Sequence, residues 1–219
     1  MILAPSILSA NFAYLGKAVE MCRAGGAHWI HVDVMDNQFV PNLTVGPPVV
    51  KSLRPFTEKF IDVHMMVMEP EKLVEPFARA GADNITFHIE ATDKPGKMIN
   101  LIRDHGKNVG ISLKPITPLT EIEPFLDQVD MVLVMSVEPG FGGQGFLPES
   151  LDKITELKQL IKEQCLRDKV KIEVDGGIKL QNAREVLKAG ADILVSGSEI
   201  FHAEDPVQIM KTFYTLEDE

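Results

Sequence analysis

The segment A-G-G-A-H-W-I-H-V-D (residues 24–33) recurs in similar form as A-G-A-D-N-I-T-F-H-I-E (80–90) and A-G-A-D-I-L-V-S-G-S (189–198). Each copy follows an amphipathic stretch, places Gly where a helix usually stops, and continues into a short apolar or β-branched run. Such a run is too short for a helix and suits a buried strand. The three copies therefore predict a repeated junction between a helix and a strand.

The same rules predict eight strands along the whole chain, separated by amphipathic helices. The strands are expected near residues 2–8, 29–34, 59–65, 84–89, 108–113, 130–136, 170–175 and 192–196. One intervening helix is expected from Leu151 to Gln164, where apolar residues keep helical spacing. Alternating strands and helices imply a parallel sheet with right-handed crossovers. Eight such units without a dividing linker favour an α/β fold in which residues 1–219 form a single (β/α)8 barrel domain, rather than an open doubly wound sheet.

The composition excludes several classes of function. The 219 residues carry a formal net charge of −10, which argues against nucleic acid or an anionic membrane surface as the principal partner. Cys22 and Cys165 both fall within predicted helices and form no Cys-x-x-Cys pair, so neither a disulfide framework nor a thiolate metal site is expected. Because no apolar run is long enough to span a bilayer and no signal-peptide pattern is found, we expect a cytoplasmic protein.

Polar residues lie where the predicted strands end: Ser6, His31, Asp33, His64, His88, Lys114, Ser136, Asp175 and Ser198. Barrel enzymes place their active sites at this face. A buried carboxylate is costly unless it is paired, hydrogen-bonded or bound to a metal. We therefore predict that two imidazoles and two carboxylates meet over the barrel mouth as ligands of one divalent ion: His31, Asp33, His64 and Asp175. Nitrogen and oxygen donors without thiolate suit Zn²⁺, Fe²⁺, Mn²⁺ or Co²⁺, and the pattern does not choose among them.

Three glycine-rich segments follow the last three predicted strands. They read P-G-F-G-G-Q-G-F (139–146), D-G-G-I (175–178) and S-G-S (196–198). Glycine lets backbone N–H groups approach a ligand closely, and the loops after strands 7 and 8 commonly bind phosphate in barrels. These segments predict a small phosphorylated substrate.

Six segments, in order along the chain, are similar to those of the ribulose-phosphate 3-epimerase family. They are A-P-S-I-L-S-A-N-F, H-V-D-V-M-D with F-V-P-N-L-T, D-V-H-M-M-V, S-V-E-P-G-F-G-G-Q, E-V-D-G-G-I and G-S-E-I-F, and they extend from Ser6 to Phe201. The resemblance implies an enzyme that interconverts D-ribulose 5-phosphate and D-xylulose 5-phosphate at carbon 3 in the pentose phosphate pathway. It also implies a homo-oligomer, since the family forms dimers and larger assemblies.

The resemblance further assigns roles to individual residues. By motif, His31, Asp33, His64 and Asp175 would bind one divalent metal ion per subunit, and the two aspartates would also act as acid and base. The residues implied to contact the substrate are Ser6, His64, Gly142, Gly143, Gln144, Gly145, Asp175, Gly176, Gly177, Gly197 and Ser198. The family commonly has M-D-G-x-F-V-P-N, whereas Asn37 and Gln38 follow Asp36 here. Because Asn tolerates a left-handed conformation, we expect this loop to keep its shape.

Three other functions stay open at this point. Allulose 6-phosphate 3-epimerase uses a similar fold and site on a longer sugar. Lys114, at the end of predicted strand 5, could form a Schiff base in an aldolase, although a solvated lysine before Pro115 is the simpler interpretation. A non-catalytic barrel that binds a sugar phosphate is the third, and the presence of both Asp33 and Asp175 argues against it.

Overall fold

Eight parallel strands form one sheet in the computed structural model, which describes residues 1–216. The strands are β1 (Ile2–Pro5), β2 (Trp29–Met35), β3 (Phe60–Met66), β4 (Asn84–His88), β5 (Asn108–Leu113), β6 (Met131–Met135), β7 (Lys171–Asp175) and β8 (Ile193–Ser196). Consecutive strands from β2 to β8 pair in parallel, and β1 pairs with β8. A bridge between Ser6 and His31 brings the β1 end against β2. The predicted (β/α)8 barrel is thereby confirmed.

Helices surround the sheet and connect most of its strands. They are α1 (Leu15–Ala24), α2 (Pro47–Leu53), α3 (Glu71–Ala80), α4 (Pro95–Asp104), α5 (Ser150–Glu163), α6 (Leu180–Ala189), α7 (Ser198–Phe201) and α8 (Pro206–Thr215). The connection from β5 to β6 uses short 3₁₀ helices at Leu119–Glu121 and Glu123–Gln128. In the described part of the chain, every helix is too short or too polar to cross a membrane.

The strand and helix boundaries differ from the predictions at a few places. The first strand ends at Pro5 rather than near residue 8, because the Ser6 hydroxyl accepts a hydrogen bond from Leu8 N and starts a 3₁₀ turn. Helix α5 begins and ends one residue earlier than expected. The prediction that Cys165 lies in a helix is wrong: it follows α5 with φ of 58°, a left-handed conformation typical of a helix end. Cys22 lies in α1, as predicted.

Alternation along the strands separates an apolar outer layer from an interior that is partly polar. Val32, Val63 and Ile85 are completely buried, as expected where the outer face of a parallel sheet is covered by helices. Phe77 of α3 is also completely buried in the main apolar cluster, and such burial contributes roughly 1.5–3 kcal/mol. The inward positions of β2, β3 and β7 instead carry imidazoles and carboxylates. The barrel therefore brings ionisable groups from distant segments into one interior.

Candidate active site

Four ionisable side chains meet inside the carboxyl end of the barrel. His31 and Asp33 come from β2, His64 from β3 and Asp175 from β7. Period two places the first two on one inner face, and the sheet register sets Asp33 beside His64. One potential ligand atom from each of the four lies within 4.8 Å of the others. The structure therefore brings the predicted metal ligands together. His31 lies deeper in the barrel than the expected strand-end position, because β2 continues beyond it to Met35.

The donor atoms of this cluster suit a divalent cation. His64 Nδ1 lies 3.2 Å from Asp33 Oδ1 and 3.7 Å from Asp175 Oδ2. His31 Nε2 lies 3.3 Å from Asp33 Oδ1, and among the described residues this buried nitrogen has no hydrogen-bond partner. Leaving a buried polar atom without a partner is costly. A cation at the centre of these nitrogen and oxygen donors would satisfy it, so the residues fit a metal of the classes predicted.

The two aspartates differ in their affinity for a proton. Burial raises the pKa of Asp33, but the charges of His31 and His64 and the hydrogen bond with His64 outweigh it and hold this pKa well below its usual range. The Ser6 hydroxyl also donates to Asp33 Oδ2 over 2.5 Å. Burial and the negative charge of Asp33 raise the pKa of Asp175 to about 6, despite the opposing effect of both histidines. In the metal-free protein, Asp33 is therefore a carboxylate while Asp175 takes up a proton near neutral pH.

Two further carboxyl groups lie beneath His31, and the sequence analysis missed both. Asp62 Oδ2 is 2.6 Å from His31 Nδ1, and Asn84 donates to Asp62 Oδ1 over 2.7 Å. Glu173 Oε1 is 3.5 Å from the same imidazole nitrogen, and this completely buried side chain has no hydrogen-bond partner among the described residues. The Asp62 contact directs His31 Nε2 towards the ligand centre. Period two offered the signal, since Asp62 and Glu173 each lie two residues before a proposed ligand.

A cleft lies above the four ligands and is partly open to solvent. Of the residues predicted to contact substrate, nine line it: Ser6, Gly142, Gly143, Gln144, Asp175, Gly176, Gly177, Gly197 and Ser198. His64 is completely buried beneath the cleft, and Gly145 does not line it. Met35, Met66 and Met135 add apolar walls. The mixed polar and apolar lining is suited to a small polar ligand.

Two of the cleft glycines lie in close contact with neighbouring loops. Gly177 has φ of +64°, and a Cβ there would lie 2.4 Å from the Phe146 backbone nitrogen. A Cβ at Gly197 would lie 2.6 Å from Ser9 Oγ. Real Cβ atoms do not approach other atoms so closely. The backbone contact therefore requires glycine at position 177, whereas at position 197 the Ser9 hydroxyl would have to turn away. Their backbone N–H groups are consequently unshielded by any side chain of their own.

Three other predictions concern residues near the cleft. Asn37 has φ of 58°, so the expected left-handed conformation is confirmed. Its neighbour Asp36 accepts backbone hydrogen bonds from Gln38, at 2.8 Å, and from Met68, also at 2.8 Å, which hold the loop. Lys114 Nζ lies 4.3 Å from the centre of the Phe39 ring, away from the cleft lining. Nothing in this position favours a Schiff-base lysine. Ser198, expected at a strand end, is instead the first residue of α7.

Solved structures of low sequence similarity share the fold. The structure of 3-hexulose-6-phosphate synthase from Salmonella typhimurium has a TM-score of 0.69 and 20% identity, covering 99% of this chain and 98% of that chain. KGPDC from Streptococcus mutans in complex with D-R5P has a TM-score of 0.73 and 18% identity, covering 99% and 96%. At such identities the likeness concerns the barrel architecture alone.

Sequence comparisons are more specific. A profile described as "Ribulose-phosphate 3 epimerase family" matches residues 2–201. The ribulose-phosphate 3-epimerase of Synechocystis sp. is 50% identical over 205 residues, which cover 93% of this chain and 88% of that protein. The chloroplastic ribulose-5-phosphate-3-epimerase of Arabidopsis thaliana is 48% identical, covering 96% and 75%. That of Escherichia coli K12 is 47% identical, covering 93% and 90%. With the site geometry described above, these matches show that the chain belongs to the ribulose-phosphate 3-epimerase family.

Proposed function

We propose that this chain interconverts D-ribulose 5-phosphate and D-xylulose 5-phosphate by epimerisation at carbon 3, as a step of the pentose phosphate pathway. The names of its relatives support this substrate. The observation that carries the proposal is the convergence of Asp33 and Asp175 with two histidines at the floor of one cleft.

The reaction needs two proton-transferring groups. A proton leaves carbon 3, next to the ketone, and another returns to the opposite face of a planar cis-enediolate. One carboxylate cannot readily serve both faces, whereas two can act as base and acid and exchange roles in the reverse direction. Asp33 on β2 and Asp175 on β7 are suited to this, since they project from separate strands and both line the cleft. Asp33 and Asp175 are therefore the proposed catalytic residues.

His31, Asp33, His64 and Asp175 are the proposed ligands of one divalent ion, which is Zn²⁺, Fe²⁺, Mn²⁺ or Co²⁺. When bound, the ion supplies positive charge that stabilises negative charge on substrate oxygens. The Ser6 hydroxyl holds Asp33 and the Asp62 carboxylate holds His31, which keeps two ligands in fixed orientations.

The remaining cleft residues are proposed to bind and shield the substrate. Met35, Met66 and Met135 give the cleft apolar, adaptable walls that exclude water from the reacting carbons. The phosphate is placed at the backbone N–H groups around Gly177, Gly197 and Ser198, which border the same cleft. Without side chains, the two glycines leave these N–H groups open to an anion.

Deuterium exchange tests the two-carboxylate mechanism. In heavy water, the wild-type enzyme should place deuterium at carbon 3 of the product, because the proton donor differs from the acceptor. Asp175→Asn should slow conversion by about 10²–10⁴-fold, while Asp33 still exchanges the proton of one epimer. Asp152→Asn, on the exposed surface of α5, is the matched control and should behave as wild type.

Metal content must be measured in the same samples, because Asp175 is also a proposed ligand. A chelator should abolish wild-type turnover, and adding a divalent ion should restore it. A metal-loaded Asp175→Asn enzyme that converts substrate at the wild-type rate would refute the acid–base assignment.

A further inference from the structure

A line of hydrogen bonds leads outward from His64 through two residues that the mechanism above does not use. His64 Nε2 is 2.9 Å from His88 Nε2, and His88 Nδ1 is 3.1 Å from Glu90 Oε2. Both histidine side chains are completely buried, and the Glu90 side chain is 22% exposed. The proposed metal ligand is thus connected to a carboxylate at the edge of the barrel.

Only one placement of ring protons satisfies every contact in this line while leaving His64 able to bind a cation. His64 turns Nδ1 towards Asp33 and Asp175, so a cation held there needs Nδ1 without a proton. The His64 proton then lies on Nε2 and is donated to His88 Nε2. A neutral His88 must consequently carry its own proton on Nδ1, which faces the Glu90 carboxylate.

The contacts of Glu90 fix the direction in which these hydrogen bonds are donated, because its second carboxylate oxygen, Oε1, already acts as an acceptor. Glu90 Oε1 accepts the backbone N–H of Lys114 over 2.8 Å and also the hydroxyl of Thr117. A backbone N–H can only donate. The Lys153 ammonium holds this segment by donating to the carbonyls of Lys114, at 3.2 Å, and Thr117, at 2.7 Å. Oε2 is therefore the oxygen left for His88.

We propose that Glu90 is a positioning residue that acts through His88 to keep the His64 ring proton on Nε2, so that Nδ1 is free for the divalent ion. This inference rests on the proposed function, since it takes His64 to be a metal ligand. It adds a role for Glu90 and His88, neither of which belongs to the proposed ligand set.

Replacing Glu90 by Gln should reverse the direction in which the hydrogen bonds between residue 90, His88 and His64 are donated. The amide oxygen must face the Lys114 N–H, so the amide NH₂ faces His88 Nδ1 and donates to it. His88 then carries its proton on Nε2, where it meets His64 Nε2. His64 must accept there and hold its proton on Nδ1, the atom needed for the ion. Because Gln nearly matches Glu in shape, the change acts on proton placement more than on packing.

The experiment combines zinc affinity with nitrogen NMR of the histidine rings. Zn²⁺ affinity is measured by competition with a chromophoric chelator, and the ring proton of His88 is located from its ¹⁵N shifts in the metal-free protein. We expect His88 to carry its proton on Nδ1 in the wild type and on Nε2 in Glu90→Gln, with Zn²⁺ affinity reduced about 10–100-fold. Glu90→Asp, which keeps the carboxylate, should restore part of the affinity. Thr117→Val removes a donor to the other oxygen only and should leave the affinity unchanged.

The possible outcomes separate this inference from the proposed function. A wild-type His88 protonated on Nε2 would overturn the inference, even if the variants failed to fold. Wild-type Zn²⁺ affinity in Glu90→Gln would also overturn the inference alone, provided that wild-type turnover still depends on a metal. A wild-type protein that binds no divalent ion would overturn both the inference and the metal part of the proposed function.

Discussion

Replacing Glu173 by Gln should make the metal-free barrel more stable than wild type, and increasingly so as the pH rises from 4.5 to 7. Glu173 is completely buried, and burial together with the negative charge of Asp62 raises its pKa well above the usual 4.5. It therefore keeps its proton in the folded protein at pH values where the unfolded chain has already lost it. An amide has nearly the same shape and is neutral at every pH.

The size and sign of this difference in unfolding free energy follow from proton linkage. Above pH 4.5 the unfolded chain has lost this proton, whereas the folded chain keeps it until the pH reaches the raised pKa. Folding must then take up a proton, so wild-type stability falls by about 1.4 kcal/mol per pH unit over this window. Glu173→Gln avoids this loss. At pH 4.5 and below, where Glu173 is protonated in both states, the two proteins should differ by no more than about 1 kcal/mol, the net worth of one hydrogen bond.

Asp62→Asn is the matched comparison, because it makes the same chemical change in the same interior. Burial lowers the pKa of His31, but the charges of Asp33 and Asp62 outweigh it and raise this pKa. Asp62 thus balances a positive imidazole at 2.6 Å. Removing one partner of a buried ion pair costs about 3–5 kcal/mol, a large fraction of the roughly 5–15 kcal/mol that stabilises a typical domain.

Urea unfolding of the three proteins, with a chelator present and at several pH values, measures these differences. The expected result is a gain for Glu173→Gln that grows with pH and a loss for Asp62→Asn at pH 7. If wild type and Glu173→Gln showed the same stability difference at pH 4.5 and pH 7, Glu173 would be ionised inside the barrel and the reasoning would be wrong.

Other predictions concern the cleft, the ligands and the cysteines. Gly177→Ala should lower the free energy of unfolding by about 1–3 kcal/mol for its left-handed backbone alone, and it should raise the KM for ribulose 5-phosphate. Thermal unfolding measures the first effect and steady-state kinetics the second. Unchanged values would contradict the close contact. His31→Ala or His64→Ala should lose the divalent ion and turnover together, which metal analysis of purified protein checks; full occupancy with normal turnover would refute the ligand assignment. Burial raises the pKa of the Cys22 thiol to about 12, so it should react with a maleimide at pH 8 only after unfolding, whereas exposed Cys165 should react in the folded protein; labelling of both thiols at equal rates would contradict this.

Much of the fold could be predicted from the sequence because its signals are local. The Gly residues that end α3 and α6, and the apolar runs after them, depend on neighbours within a few positions, and all eight strands were found near their observed limits. The errors at β1 and Cys165 lie at element ends, where a side-chain hydrogen bond or one left-handed residue decides the boundary. Such contacts leave little trace in hydrophobic periodicity.

In the candidate site, too, local features could be predicted from the sequence, whereas contacts between strands could not. The sequence by itself determined which strands carry His31, His64 and Asp175, since a polar residue in an apolar run stands out. Only the tertiary structure decided that Asp62 and Glu173 lie beneath His31 and that Glu90 reaches His64 through His88. The physical reason is that hydrogen bonds a few ångströms long depend on how strands from distant parts of the chain pair and close into a barrel, and a single strand's pattern contains no information about its neighbours.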